Sequence, residues 1–144
     1  MGMISVFKNP NVMREIVNQT EAGIAAIAAS VASEASAQAP VANKNGGRLR
    51  DSIVWKTSKQ GSGDVQGVPE PKELEGYVGS ALDYAVYQEF GTRYMRPQPY
   101  LRPAIAIKAL GQRGADVMIR KINETARGKL TPENIDHREQ FGLR

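Results

Sequence analysis

The side chains best able to do chemistry gather in one stretch, YAVYQEFGTRYMRPQPYLRPA, residues 84–104. Tyr84, Tyr87, Phe90 and Tyr100 supply broad amphipathic surfaces. Pro97, Pro99 and Pro103 stiffen the backbone, and Arg102 is a cation close in sequence to the carboxylates of Asp83 and Glu89. These residue types recognise and pack; they do not by themselves break bonds. Catalytic equipment elsewhere is sparse. There is no cysteine and one histidine, His137, so disulfides, thiolate zinc sites and cysteine nucleophiles are excluded. A histidine metal cluster or a Ser-His-Asp triad is not expected either. Acidic residues exist, but no spacing fixes two of them in one pocket. The GSG at 61–63 lacks a following GK[ST] and a helix start, so it is not a phosphate loop. His137, in a polar tail, reads as a surface histidine. The expectation is a protein that is not an enzyme and carries no cofactor and no metal.

Composition agrees with a recognition role. Apolar residues at 41% and charged residues at 24% describe one folded domain rather than a disordered chain. No apolar run approaches a membrane span, and MGMISVFKNP does not have the pattern of a signal peptide. The net charge of +4 hides a segregation. Residues 61–92 hold six acidic groups and one basic, whereas 93–130 hold nine basic and two acidic, and 41–60 hold five basic and one acidic. An acidic middle between basic blocks suits head-to-tail association of copies, one copy's negative patch meeting the next one's positive patch. A solvated surface with local pairing is the alternative.

The elements that must position these residues can be read in order. Asn9 can cap a long helix whose first residue is Pro10, with Val12, Met13, Ile16, Val17, Ile24, Ile27 and Val31 at helical spacing. Alanines from Ala22 to Ala39 make it slim, and Pro40 ends it. After an Asn-Gly turn at 43–47, residues 48–59 read as a strand centred on Ile53, Trp55 and Thr57, with Trp55 buried against the helices. Residues 60–73 form a long loop, and 74–79 a second strand antiparallel to the first. Ser80 and Asp83 have capping-box spacing, predicting a short helix that ends near Gly91 and carries Tyr84, Tyr87 and Phe90 on one face. Met95 to Tyr100 is then extended, and a final helix spans 103–126, with Ile107, Leu110, Met118 and Ile122 as its buried stripe and Gly111 and Gly114 interrupting it. Thr131-Pro132-Glu133 could start a short polar helix. Arg102 precedes the final helix, where the helix dipole disfavours a cation, so a carboxylate partner such as Glu89 is expected. A plain packing connector with a solvated arginine is the alternative.

The same residues carry a resemblance. Tyr84, Tyr87, Glu89-Phe90-Gly91-Thr92, Met95 and Pro99-Tyr100-Leu101-Arg102-Pro103-Ala104, preceded by Ala39-Pro40-Val41 and Gly47-Arg48-Leu49-Arg50-Asp51-Ser52-Ile53, resemble a family of bacteriophage morphogenesis proteins. These are the small neck or tail-completion (head–tail joining) proteins of long-tailed phages, of the lambdoid tail-component type. The resemblance covers roughly residues 10–126; position 100 is Tyr where Phe is usual, and 127–144 extends past it as a polar C-terminal tail. It implies an α+β fold, a long N-terminal and a C-terminal helix on a small antiparallel sheet with a long inter-strand loop. It also implies a structural virion protein at the head–tail junction, assembled in the host cytoplasm as a homo-oligomeric ring, expected to be a hexamer. Its partners would be head-completion, tail-terminator and tail-tube proteins, with no membrane involved.

The interface expected on that reading comprises Tyr84, Tyr87, Glu89, Phe90, Gly91, Thr92, Met95, Pro97, Pro99, Tyr100, Leu101, Arg102 and Pro103. Lys44, Lys56 and Lys59 are candidates for a lumen surface touching packaged DNA through phosphates. The competing function is a small basic nucleic-acid-binding module, supported by a pI of 9.5 and the basic block 93–130. Against it stand the absence of a recognised motif and the location of the aromatics outside the basic block.

Overall fold

The structure is a computed structural model that describes residues 10–44, 46–65 and 67–129. The fold is α+β, with a long N-terminal helix as its spine. Helix α1 (Pro10–Gln38) is followed by the single-turn helix α2 (Arg48–Asp51), strands β1 (Ile53–Thr57) and β2 (Gly76–Ser80), and helices α3 (Ala85–Phe90), α4 (Leu101–Lys108) and α5 (Gly111–Lys129). Pro10 opens α1 as expected, since a first-turn residue has no intrahelical N–H bond to lose. No described helix is long and apolar enough to cross a membrane.

The alanines of α1 explain how so few large side chains hold the molecule together. Ala25, Ala28, Ala32 and Ala35 are buried beside Val31, leaving a thin helix face that neighbouring elements approach closely. At Gly23 the approach is closer still, because a Cβ there would lie 2.9 Å from Met118 Cγ of α5. The innermost cluster joins Val31 and Ala35 of α1, and Ala39 just after it, to Leu49, Ala85, Tyr100 and Ala104, so α2, α3 and α4 all meet one end of the spine.

The sheet has two antiparallel strands, with Trp55 opposite Val78 and Thr57 opposite Gly76. Opposed residues share a face, and the Thr57–Gly76 pair marks the inner one: Thr57 is fully buried, and a Cβ on Gly76 would lie 2.9 Å from Ile24 Cγ2 of α1. The outer face is covered by the chain between the strands. A Cβ on Gly79 would lie 3.3 Å from Val65 Cγ2, and Lys56 is held by the carboxylates of Asp64 and, at 2.7 Å, Glu70. The long loop is therefore folded back on its own hairpin.

Several boundaries differ from the sequence reading. Arg48–Asp51 is a helical turn, not the start of a strand: Gly47 adopts φ 101°, and the N–H groups of Asp51 and Ser52 return to Gly47 and Arg48 carbonyls. The second strand is Gly76–Ser80 rather than 74–79, because Leu74 sits at φ 64°, outside strand geometry. Ser80 does not cap α3. It closes β2, its Oγ bonded to Ser52 Oγ at 2.6 Å and accepting the Leu82 N–H. Trp55 is half-buried and stays outside the innermost cluster.

The expected helix over 103–126 is two helices. It begins earlier, at Leu101, so Pro103 stands at the third helical position, and it breaks before Gly111, whose φ is 69°. Gly114 permits the bend, since a Cβ there would lie 2.1 Å from the Ala109 carbonyl oxygen. The break also turns Leu110 out to solvent, while Ile107, Met118 and Ile122 remain half-buried. Helix α5 continues past residue 126 to Lys129. Asn9, His137 and the helix start expected at Thr131 lie outside the described residues.

Candidate interaction surface at the α3–α4 junction

Helix α3 is short, and its position depends on one buried carboxylate. Glu89, on its inner face, points at the start of α4 and accepts the backbone N–H groups of Tyr100, Leu101 and Arg102, each at 2.9 Å. A helix start leaves four N–H groups without intrahelical partners. Here Glu89 takes those of the cap and the first two helical positions, and Pro103 at the third has none to satisfy. The cap that α4 lacks in its own Tyr100 side chain is thus supplied from α3.

Arg102 completes the arrangement, and its placement has the carboxylate partner expected of it. Its Nε donates to Glu89 Oε1 at 3.1 Å, its Nη2 donates to the Glu89 carbonyl at 3.2 Å, and its guanidinium lies 4.7 Å from the Phe90 ring centroid. The Arg102 side chain is 58% exposed while Glu89 is buried. Burial pushes the Glu89 pKa up, but the N–H groups of Leu101, Tyr100 and Arg102 together with the guanidinium outweigh it and hold the carboxyl below its usual range. A cation at a helix N-terminus, unfavourable alone, becomes favourable because the carboxylate lies between it and the dipole.

The turn between α3 and α4 is as constrained as its glycine and prolines suggest. Gly91 has φ 74° and ψ 177°, a conformation open essentially to glycine, and a Cβ there would lie 2.7 Å from Pro97 N. Thr92 and Met95 exchange backbone hydrogen bonds, and the Gln98 N–H returns to the Gln88 carbonyl at 2.8 Å. On this frame the outer face of α3 carries Val86, Tyr87 and Phe90 behind its N-cap Tyr84, all exposed, with Phe90 at 61% and the adjoining Tyr94 at 90%. Apolar residues so clustered on one rigid surface make this the candidate interaction surface.

The expected interface residues separate into two groups. Tyr84, Tyr87, Phe90, Thr92, Pro97 and Pro99 are exposed, and Arg102 is exposed beside them. Glu89 and Tyr100 are buried, while Gly91, Met95, Leu101 and Pro103 are partly buried, so they build the frame rather than its surface. Sequence reasoning missed Val86, Arg93, Tyr94 and Arg96 on the exposed side. Tyr94 was legible in principle, as an aromatic next to a glycine turn.

Of the three lysines, two are already engaged elsewhere. Lys56 is engaged by Asp64 and Glu70, Lys59 Nζ donates to Asn18 Oδ1 at 2.6 Å, and Lys44 is exposed. Near Lys59, Glu21 of α1 is buried and accepts from Ser58 Oγ at 2.7 Å and from the Leu74 N–H, clamping both ends of the inter-strand loop to the spine. Burial opposes ionisation of Glu21, but these two donors and the Lys59 charge bring its pKa below the usual carboxylate range.

An open depression of about 370 Å³ lies beside the ridge, between residues 40–43 and 46–49 on one side and Tyr84, Gln88 and Gln98 on the other. Arg48 is the one charged group in its lining, so it presents no paired acid and base. Among the described residues no cluster of His, Cys, Asp or Glu could hold a metal ion.

No curated protein and no solved structure matches the chain. One family model does, that described as "Bacteriophage HK97-gp10, putative tail-component", over residues 11–91. The match runs from the first turn of α1 through the hairpin and α3 to the glycine that ends it, and so includes Glu89 and the exposed aromatics. Spanning more than half of the sequence, it shows that the chain belongs to the HK97-gp10-like family of phage tail components.

Proposed function

We propose that this tail component is a structural protein of the virion neck, completing the tail end and joining it to the head connector around the DNA channel. In this reading the protein is not an enzyme; it acts by holding surfaces together. The observation that carries the proposal is the exposed face of α3, with Val86, Tyr87 and Phe90 outward on a backbone locked by Glu89, Gly91 and the prolines. A surface fixed before docking loses little conformational entropy on docking, which suits a permanent joint.

The assembly is a homo-oligomeric ring, a hexamer, whose copies meet through this ridge and which contacts head-completion, tail-terminator and tail-tube proteins. DNA passing through the ring would meet lysines without sequence preference. Lys44 is the most available of the three candidates, because Lys56 and Lys59 already have partners.

The test is cryo-electron microscopy of virions and of particles carrying V86S/Y87S. The expected result is a ring of this chain at the neck, and, in the variant, filled heads and finished tails that accumulate unjoined. A lone copy, or a location away from the neck, sinks the proposal. Strong, salt-dependent DNA binding by the isolated monomer would favour a nucleic-acid-binding module instead.

A further inference from the structure

Far from the aromatic ridge, the chain displays Glu73, Leu74 and Glu75 side by side, all exposed, Leu74 at 45%. Among the described residues Leu74 is the one non-glycine with positive φ, at 64°. A leucine is strained there, and strain of this kind persists only where the surroundings enforce it. The enforcing group is Glu21, whose buried carboxylate accepts the Leu74 N–H. Yet the strain does not bury Leu74. The fold spends a buried carboxylate on presenting an apolar side chain outward between two acids.

The ridge offers the complement. Phe90 and Tyr94 are its most exposed rings, and Arg93 and Arg96 stand beside them, with the Arg93 guanidinium 5.8 Å from the Tyr94 centroid. Neither arginine forms an ion pair with a described residue, and Glu73 forms none either. Among the described residues, the Glu75 carboxylate meets only the Lys72 N–H and the Tyr77 hydroxyl.

These patches cannot meet within one chain. Leu74 is anchored to Glu21, whereas Ala85 and Tyr100 beneath the ridge pack in the cluster that includes Ala35. Both Glu21 and Ala35 lie on α1, where a rise of 1.5 Å per residue separates them by about 20 Å.

We propose that the Glu73-Leu74-Glu75 tip of one copy docks on the ridge of the next. Leu74 enters between Phe90 and Tyr94, and the flanking carboxylates meet Arg93 and Arg96. The inference rests on the ring reading above and names its interface. Two different patches at opposite ends of one subunit make a heterologous contact, which closes into a ring when the rotation allows, and opposite charge fixes its direction.

The chain has no cysteine, so the double variant L74C/Y94C reports this contact alone. On oxidation of the purified protein, and of tail particles carrying it, a ladder of disulfide-linked multimers is expected. Either single variant should give no ladder beyond a dimer. In a second measurement, native mass spectrometry should show E73K/E75K and R93E/R96E each depleting multimers at least tenfold. An equimolar mixture of the two should restore them, because every tip then faces a ridge of opposite charge. Multimers that form without a ladder and ignore the charge reversals overturn this contact and leave the ring intact. A chain that stays single in solution and in tails overturns both.

Discussion

The Glu89 carboxylate holds the start of α4 and the Arg102 side chain at once, through N–H groups at 2.9 Å and Nε at 3.1 Å. The two partners are unequal in burial, so their removal should be unequal in cost. Glu89→Ala leaves three N–H groups without an acceptor at a helix start and should destabilise by about 2–4 kcal/mol. Arg102→Ala removes a largely exposed partner and should cost about 0.5–1 kcal/mol. Urea unfolding of the two variants checks the ratio; equal costs would refute the capping account.

The same carboxylate should shape the acid limb of stability. Hydrogen bonding holds the Glu89 and Glu21 pKa values below the usual range, so the unfolded chain binds protons first as pH falls. Their contribution is therefore complete above the unfolded carboxylate value of about 4.3 and is lost as pH drops through the lower folded values. Unfolding at pH 7, 5, 4 and 3 should show wild type losing stability below about pH 4.5. Glu89→Gln should be weaker at neutral pH with a shallower acid limb.

Gly91 should tolerate no side chain. Gly91→Ala combines a conformation that disfavours L residues with a Cβ 2.7 Å from Pro97 N, a backbone atom that cannot swing aside. A loss of about 2–3 kcal/mol in thermal or urea unfolding is expected, with amide exchange rising first between Phe90 and Gln98.

Lys56 should govern the loop more than the fold. Its two carboxylate partners are both largely exposed, so Lys56→Met should leave global stability nearly unchanged. Release of the loop from the outer sheet face should nevertheless speed proteolytic cleavage between Gly61 and Glu70 severalfold. An unchanged cleavage rate would show that Val65 packing alone holds the loop.

Much of this was legible before any coordinates. The bounds of α1 follow from Pro10 and Pro40, and the end of α3 from Gly91, because one residue's backbone restriction settles each of them. The strand pair followed from alternation around Trp55, and the family from two blocks, of which the later match contains the first and the start of the second, to Gly91. The carboxylate partner of Arg102 could be anticipated from the helix dipole alone.

What the tertiary structure decided are the hydrogen bonds and contacts between groups distant in sequence. Ser80 has capping spacing, yet Ser52 of the neighbouring segment claims its hydroxyl. Lys56 looks like a free cation until the returning loop brings Asp64 and Glu70 to it. Half of the six acids that make residues 61–92 negative, Asp64, Glu70 and Glu89, turn out to be ion-paired within the chain. The role of Glu21 was invisible, since nothing along α1 reveals that Ser58 and Leu74 will arrive beside it. Local backbone preferences act over a few residues and can be read in order. A buried carboxylate takes whichever donors the packed chain delivers, and that delivery exists only once the spine, the hairpin and the α3–α4 turn have come together.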